Sequence, residues 1–158
     1  MKKGIIAVLS SLAGAVVGAG VMQKTATKKT MEQKENSDKH LALYLMMNQW
    51  VKVKQEGKSI PDFLSEKGYH KIAIYGMNYV GETLYDELKD SEIEVAYAID
   101  RNADNIFSEI DVVAPDTELD EVDAIIVTPI FFFDEIEEML SSKTDAEILC
   151  MEDILYAV

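Results

Sequence analysis

From Lys71 onward, short, mostly apolar runs alternate with stretches in which apolar residues return every three or four positions. Lys71–Tyr75, Ile93–Ile99, Ile110–Val113, Ala124–Thr128 and Glu147–Cys150 read as strands. Tyr79–Lys89, with Val80, Leu84 and Leu88 on one stripe, and Phe133–Ser142, with Ile136 and Leu140 inward, read as helices. A helical turn near Asn102–Phe107, a turn at Pro115 and a terminal turn through Ile154 and Leu155 complete the pattern. Runs such as Ala124-Ile125-Ile126-Val127 have no polar face, which is what a parallel sheet covered by helices on both sides requires. Right-handed crossovers place five such strands in the order 3-2-1-4-5. The expected fold class is α/β, a parallel sheet of about five strands over residues 71–158.

The pattern upstream is different. Residues 41–70 form a helical lead-in. From Leu41 to Val53, a 13-residue segment expected to dock on the sheet, Leu43, Met46, Met47, Trp50 and Val53 keep helical spacing, with Gly57 as a stop. Its rivals are a helical oligomerisation segment or an interfacial one, and Trp50 reads as a packing anchor. Ser59-Ile60-Pro61-Asp62 starts a short helix that ends at Gly68. Residues 25–40 are polar, a tether or exposed helix, with Ser37-Asp38 as a cap for the lead-in helix. Gly4 to Met22 carries no charge, and as a helix it would span ~28 Å, close to a hydrocarbon core of ~30 Å. Residues 1–24 are therefore expected to be a transmembrane anchor, its Gly14/Gly18 pair offering a face to a second transmembrane helix or a homo-oligomer. The rival is a signal peptide cleaved near Ala13-Gly14-Ala15; no cysteine follows the run, so a lipoprotein is excluded. The basic downstream flank favours a single-pass cell-membrane protein with a cytoplasmic body.

Charge divides the chain the same way. Residues 1–30 carry +5, residues 31–70 are neutral, and residues 71–158 carry −19, with Lys71, Lys89, Arg101 and Lys143 set against 23 acids; together these give −14. A domain this acidic repels nucleic acid, which is not an expected partner. Cys150 is alone, so neither a disulfide framework nor a cysteine zinc cluster can form.

The most informative stretch is Ile72-Ala73-Ile74-Tyr75-Gly76-Met77-Asn78-Tyr79-Val80-Gly81, a strand running through a glycine turn into a helix. That is the arrangement that presents helix N-terminal amides to a phosphate. Gly76 permits the turn and Gly81 permits close helix–strand packing. Asn78 stands where G-x-G-x-x-G has its middle glycine, which weakens a dinucleotide and leaves a mononucleotide or nucleotide sugar. Asp100 closes the second strand 24 residues after Gly76, where an acid can hold a ribose diol. Arg101 can stack on adenine. Thr128 closes the fourth strand on the same edge, with Phe131, Phe132 and Phe133 as crevice walls or, for at least two of them, as core. The expected cofactor-binding residues are Gly76, Met77, Asn78, Gly81, Asp100, Arg101 and Thr128. Each has a plain structural alternative, Asp100 for instance as a strand end that caps the next turn.

These runs, with Tyr97-Ala98-Ile99-Asp100 and Val122-Asp123-Ala124-Ile125-Ile126-Val127-Thr128, resemble the Rossmann-like NAD(P)/nucleotide-sugar-binding domains of bacterial surface-polysaccharide biosynthesis proteins. The likeness covers a little over half the chain. It implies a phosphate loop of Gly76, Asn78 and Gly81, a ribose contact at Asp100, and NAD or a nucleotide sugar as ligand; it implies no fixed reaction. With the segment Trp50-Val51-Lys52-Val53-Lys54-Gln55-Glu56-Gly57, the chain also resembles short single-span Firmicute-type proteins.

Catalytic signals are thin. Tyr85 and Lys89 match the Tyr-x-x-x-Lys spacing of short-chain dehydrogenases but lie far down the first helix. His40 lies by the tether and His70 on the edge opposite the crevice, and neither is placed as a general base. Asp134, Glu135, Glu137 and Glu138 suit a helix start better than a metal. With about five strands, a catalytic site would need a partner chain. The expected function is therefore a membrane-tethered module binding a nucleotide, NAD or nucleotide sugar, accessory to or regulatory of envelope polysaccharide metabolism. The alternatives are a ligand-free interaction scaffold and a small NAD-dependent epimerase- or dehydrogenase-like enzyme.

Overall fold

The structure is a computed structural model that describes the backbone of residues 2–158 and the side chains of residues 28–158. The chain falls into two compact units, Met1–Tyr44 and Leu45–Val158. Helix α1 (Lys2–Gln55) runs without interruption, because no glycine or proline occurs between Gly20 and Gly57. Ser37 and Asp38 are therefore interior helical residues and not the cap expected of them. In the first unit the described part of α1 is exposed and carries i,i+4 pairs, Lys28 with Glu32 at 3.8 Å and Glu35 with Lys39 at 2.8 Å.

Among the described residues, no helix is long and apolar enough to cross a membrane. The transmembrane helix of the expected fold and the single-pass membrane localisation are corrected on this finding. The described part of α1 carries Lys28, Lys29, Glu32, Lys34, Glu35, Asp38 and Lys39 on successive turns, so this stretch, read from the sequence as a polar tether, is not one a hydrocarbon core accepts. The side chains of residues 1–24, on which the anchor and its Gly14/Gly18 face were read, lie outside the described residues.

The second unit is an α/β sheet of five parallel strands: β1 (Lys71–Tyr75), β2 (Glu94–Ile99), β3 (Val112–Val113), β4 (Ala124–Val127) and β5 (Glu147–Cys150). Their spatial order is β3-β2-β1-β4-β5, the 3-2-1-4-5 arrangement read from the sequence and that of a Rossmann-like fold. The central strand is buried on both faces and pairs Ile74 with Ala98 on one side and with Ile126 on the other. The order reverses between β1 and β4, so the crevice of the switch point opens at their carboxyl ends. Four helices flank the sheet: the end of α1, α2 (Ile60–Lys67), α3 (Tyr79–Leu88) and α4 (Phe133–Ser141). A fifth, α5 (Met151–Ala157), follows β5 directly, where the sequence indicated only a turn.

Local signals explain the boundaries. Ser59 caps α2 by accepting the Asp62 N–H at 3.2 Å, Pro61 sits in its first turn, and Gly68 ends it at φ 86°. The end of α1 buries Met46, Trp50 and Val53, while α3 buries Val80, Leu84 and Leu88. Glu87 of α3 joins these elements. One of its carboxylate oxygens accepts the Trp50 indole N–H at 2.6 Å. The other accepts the Ile60 backbone N–H at 3.1 Å and pairs with Lys54 at 2.6 Å. On the other face, Ile136 and Leu140 of α4 close over Tyr75, Tyr97, Ile99, Ile125 and Val127. At the amino edge, Asp123 accepts the backbone N–H groups of His70 at 2.8 Å and Lys71 at 2.7 Å, which ties the start of β4 to that of β1. Those two donors hold its carboxyl below the usual aspartate value of 3.8.

Candidate functional site

The turn after β1 has a conformation only glycine tolerates well. Gly76 has φ 94°, and a Cβ there would lie 2.8 Å from Pro129 and from the Thr128 hydroxyl. Gly81, in the first turn of α3, is more constrained, since a Cβ would lie 2.1 Å from the Gly76 carbonyl oxygen. The first turn of α3 therefore packs directly onto the loop backbone. Thr128 completes the joint: it is 1% exposed and its hydroxyl donates to the Gly76 carbonyl at 2.7 Å.

Beside this turn lies a crevice of about 180 Å³, lined by Tyr75, Gly76, Asn78, Asp100, Arg101, Pro129, Phe132 and Ile136. Four of the seven residues expected to bind a cofactor, Gly76, Asn78, Asp100 and Arg101, meet there. The other three stand behind it. Gly81 and Thr128 are buried supports of the turn, and the Met77 side chain is buried away from this lining, among Ile106 and Phe107 on the α3 side. Of the three phenylalanines, Phe132 walls the crevice, while Phe133 packs against the core. Tyr75, Pro129 and Ile136 were not singled out as site residues. Tyr75 carried a signal, being a polar-tipped residue at the end of an otherwise apolar strand run.

The donors of the turn are largely taken by its own side chains. Asn78 is the N-cap of α3 and accepts from Val80 N–H at 2.9 Å and Gly81 N–H at 3.4 Å. Asp100 faces the turn: one carboxylate oxygen accepts the Met77 N–H at 2.9 Å and the other accepts the Asn102 N–H at 2.8 Å. The amides of Asn78 and Tyr79 remain for a ligand at the positive end of α3. A carboxylate offers about four acceptor sites, so Asp100 keeps capacity for a ribose diol.

Two side chains of the lining stand apart. Arg101, the only arginine of the chain, is exposed and makes no salt bridge among the described residues, although 23 acids share its segment. Tyr75 is 3% exposed, and its hydroxyl is the one buried side-chain polar atom among the described residues that lacks a hydrogen-bond partner. Leaving such a group unpaired costs about 1–3 kcal/mol.

The fit to a full NAD is poor. A side chain occupies the middle glycine position, three amides of the loop are internally bonded, and the crevice falls below the ~300–1,000 Å³ of sites that enclose a drug-sized ligand. The sites of chemistry elsewhere are few. Cys150 is buried at the end of β5, and burial pushes its thiol up, away from the reactive thiolate. Among the described residues, no group of three or more histidine, cysteine or acidic side chains is placed to hold a metal ion. No family model matches the chain, and neither the curated proteins nor the solved structures contain a match to it.

Proposed function

We propose that the second unit binds a nucleotide, with a mononucleotide or nucleotide sugar favoured over NAD, and acts as a binding module. The observation that carries this reading is the convergence of the Gly76–Asn78 turn, Asp100 and Arg101 on one crevice at the switch point of a parallel sheet. Asp100 supplies acceptors for ribose hydroxyls, the Asn78 and Tyr79 amides with Arg101 supply donors for phosphate, and Pro129, Phe132 and Ile136 supply apolar walls. An accessory or regulatory role in envelope polysaccharide metabolism rests on the resemblance of the quoted sequence runs alone. The test is thermal denaturation of the full chain with AMP, UMP, UDP-glucose and NAD. Stabilisation by at least one of the first three, reduced about fivefold or more in apparent affinity by Arg101→Ala, supports the reading. No shift with any of the four sinks it.

One observation favours a second reading, that of an interaction scaffold. Asp100 and Asn78 already satisfy three amides of the turn, so the loop is held in shape without a ligand. On that reading Asp100→Asn changes stability only, whatever nucleotide is present.

A further inference from the structure

We propose that the Tyr75 hydroxyl is the group that recognises the nucleobase in this crevice. The inference rests on the nucleotide reading above and adds the ligand's orientation: base inward against Tyr75, phosphate outward toward Arg101 and the start of α3.

Two observations carry it. The first is the cost that Tyr75 imposes. Its ring belongs to the core cluster with Ile99, Val127, Ile136 and Leu140, and a phenylalanine would fill the same apolar space. The hydroxyl adds a buried donor and acceptor that nothing in the described protein satisfies. Buried polar side chains are satisfied in the great majority of cases, and an exception at a cleft points to a partner that arrives from outside. The second observation is the shape and chemistry of the space beside it. The lining that Tyr75 shares has three apolar side chains, Pro129, Phe132 and Ile136, while Asn78, Asp100 and Arg101 bring the polar groups. The crevice, about 180 Å³, is large enough for one ring system. An apolar slot with one polar group able to donate or accept suits a flat heterocycle with ring nitrogens and exocyclic groups. A phosphate would be repelled by such walls and drawn instead to Arg101, the one cation of the lining.

The experiment compares the full-length protein with Tyr75→Phe by calorimetric titration with AMP, UMP and ribose 5-phosphate, alongside the melting temperature of each protein without ligand. The expected result is that AMP or UMP binds the wild type more tightly than ribose 5-phosphate does. Tyr75→Phe then loses about three- to tenfold for the base-bearing ligand, leaves ribose 5-phosphate unchanged, and melts at or above the wild-type temperature. Equal binding of AMP and UMP by the two proteins overturns the role of Tyr75 while leaving the nucleotide reading intact. So does a loss that extends equally to ribose 5-phosphate. A lower melting temperature with unchanged affinity also overturns it, since the hydroxyl would then be a structural group satisfied by solvent. If the wild type binds none of the three, this inference and the nucleotide reading fall together.

Discussion

Truncating Glu87 is expected to cost about 3–4 kcal/mol, the largest effect of any single polar substitution in the second unit. The side chain is 8% exposed and serves three groups on two other helices. Glu87→Ala strands the Trp50 indole N–H and the Ile60 backbone N–H, each now bonded to a charged acceptor. Hydrogen bonds of that kind contribute about 1.5–3 kcal/mol each. The Lys54 pair adds less, because its side chain is 48% exposed and such pairs contribute up to about 1 kcal/mol. The contributions share one carboxylate and do not add fully, which places the total near the lower part of the ~3–5 kcal/mol for removing one partner of a buried pair. With a urea slope of ~2 kcal/mol/M, the midpoint falls by roughly 1.5–2 M. Trp50 is the only tryptophan, so its fluorescence reports both the global transition and the loss of its own hydrogen bond. Lys54→Ala is the control, with an expected cost below about 1 kcal/mol. If Glu87→Ala unfolds within about 1 kcal/mol of the wild type, or Lys54→Ala costs as much as Glu87→Ala, the carboxylate is not the joint between these helices.

Gly81→Ala drives a Cβ to 2.1 Å from the Gly76 carbonyl, so α3 must move off the turn; a loss of about 2–3 kcal/mol in urea denaturation is expected, and a neutral result refutes the close packing. Thr128→Val keeps the shape but removes the hydroxyl bonded to Gly76, with an expected cost of about 1–2 kcal/mol read from the thermal midpoint. Asp123→Ala is expected to cost about 1–2 kcal/mol at pH 7, discounted for the exposure of the carboxylate. Because the folded state lowers this carboxyl below 3.8, its contribution is complete above the unfolded value and disappears as pH falls through the folded one. The gap between wild type and Asp123→Ala should therefore hold from about pH 7 to about 5 and narrow as pH falls below about 4, and a gap that does not narrow on acidification refutes the assignment.

The sheet was legible in the sequence because its strands are short, mostly apolar and separated by periodic helices. Ile72-Ala73-Ile74 and Ala124-Ile125-Ile126-Val127 have one reading once their length excludes a helix. The third strand is shorter than the segment read for it: only Val112–Val113 pair, and Ile110 and Asp111 precede the strand, because edge pairing depends on the neighbouring strand's reach and not on local hydropathy. The joint at Glu87 was invisible, since it unites residues from three helices whose packing no local pattern encodes. At the crevice, the residue types indicated which positions converge but not which hydrogen bonds they make. Asp100 sits at the position read for a ribose ligand, yet its acceptors already meet Met77 and Asn102. Thr128, read as a crevice liner, spends its hydroxyl on the backbone behind it. The anchor was read on residues 1–24, whose side chains lie outside the described residues; among the described residues no helix is long and apolar enough to cross a membrane.

The placement of β1 at the centre of the sheet has a consequence during synthesis. Its neighbour β2 is made soon after it, but Tyr75 waits for Thr128, 53 positions later, before its other edge is covered. For that interval a nascent chain presents a bare, oily ribbon of main-chain donors and acceptors to anything nearby. Termination anywhere before β4 should accordingly produce inclusion bodies or a chaperone client rather than a smaller folded protein. Only a ribosome that has passed β4 releases a chain able to close on itself.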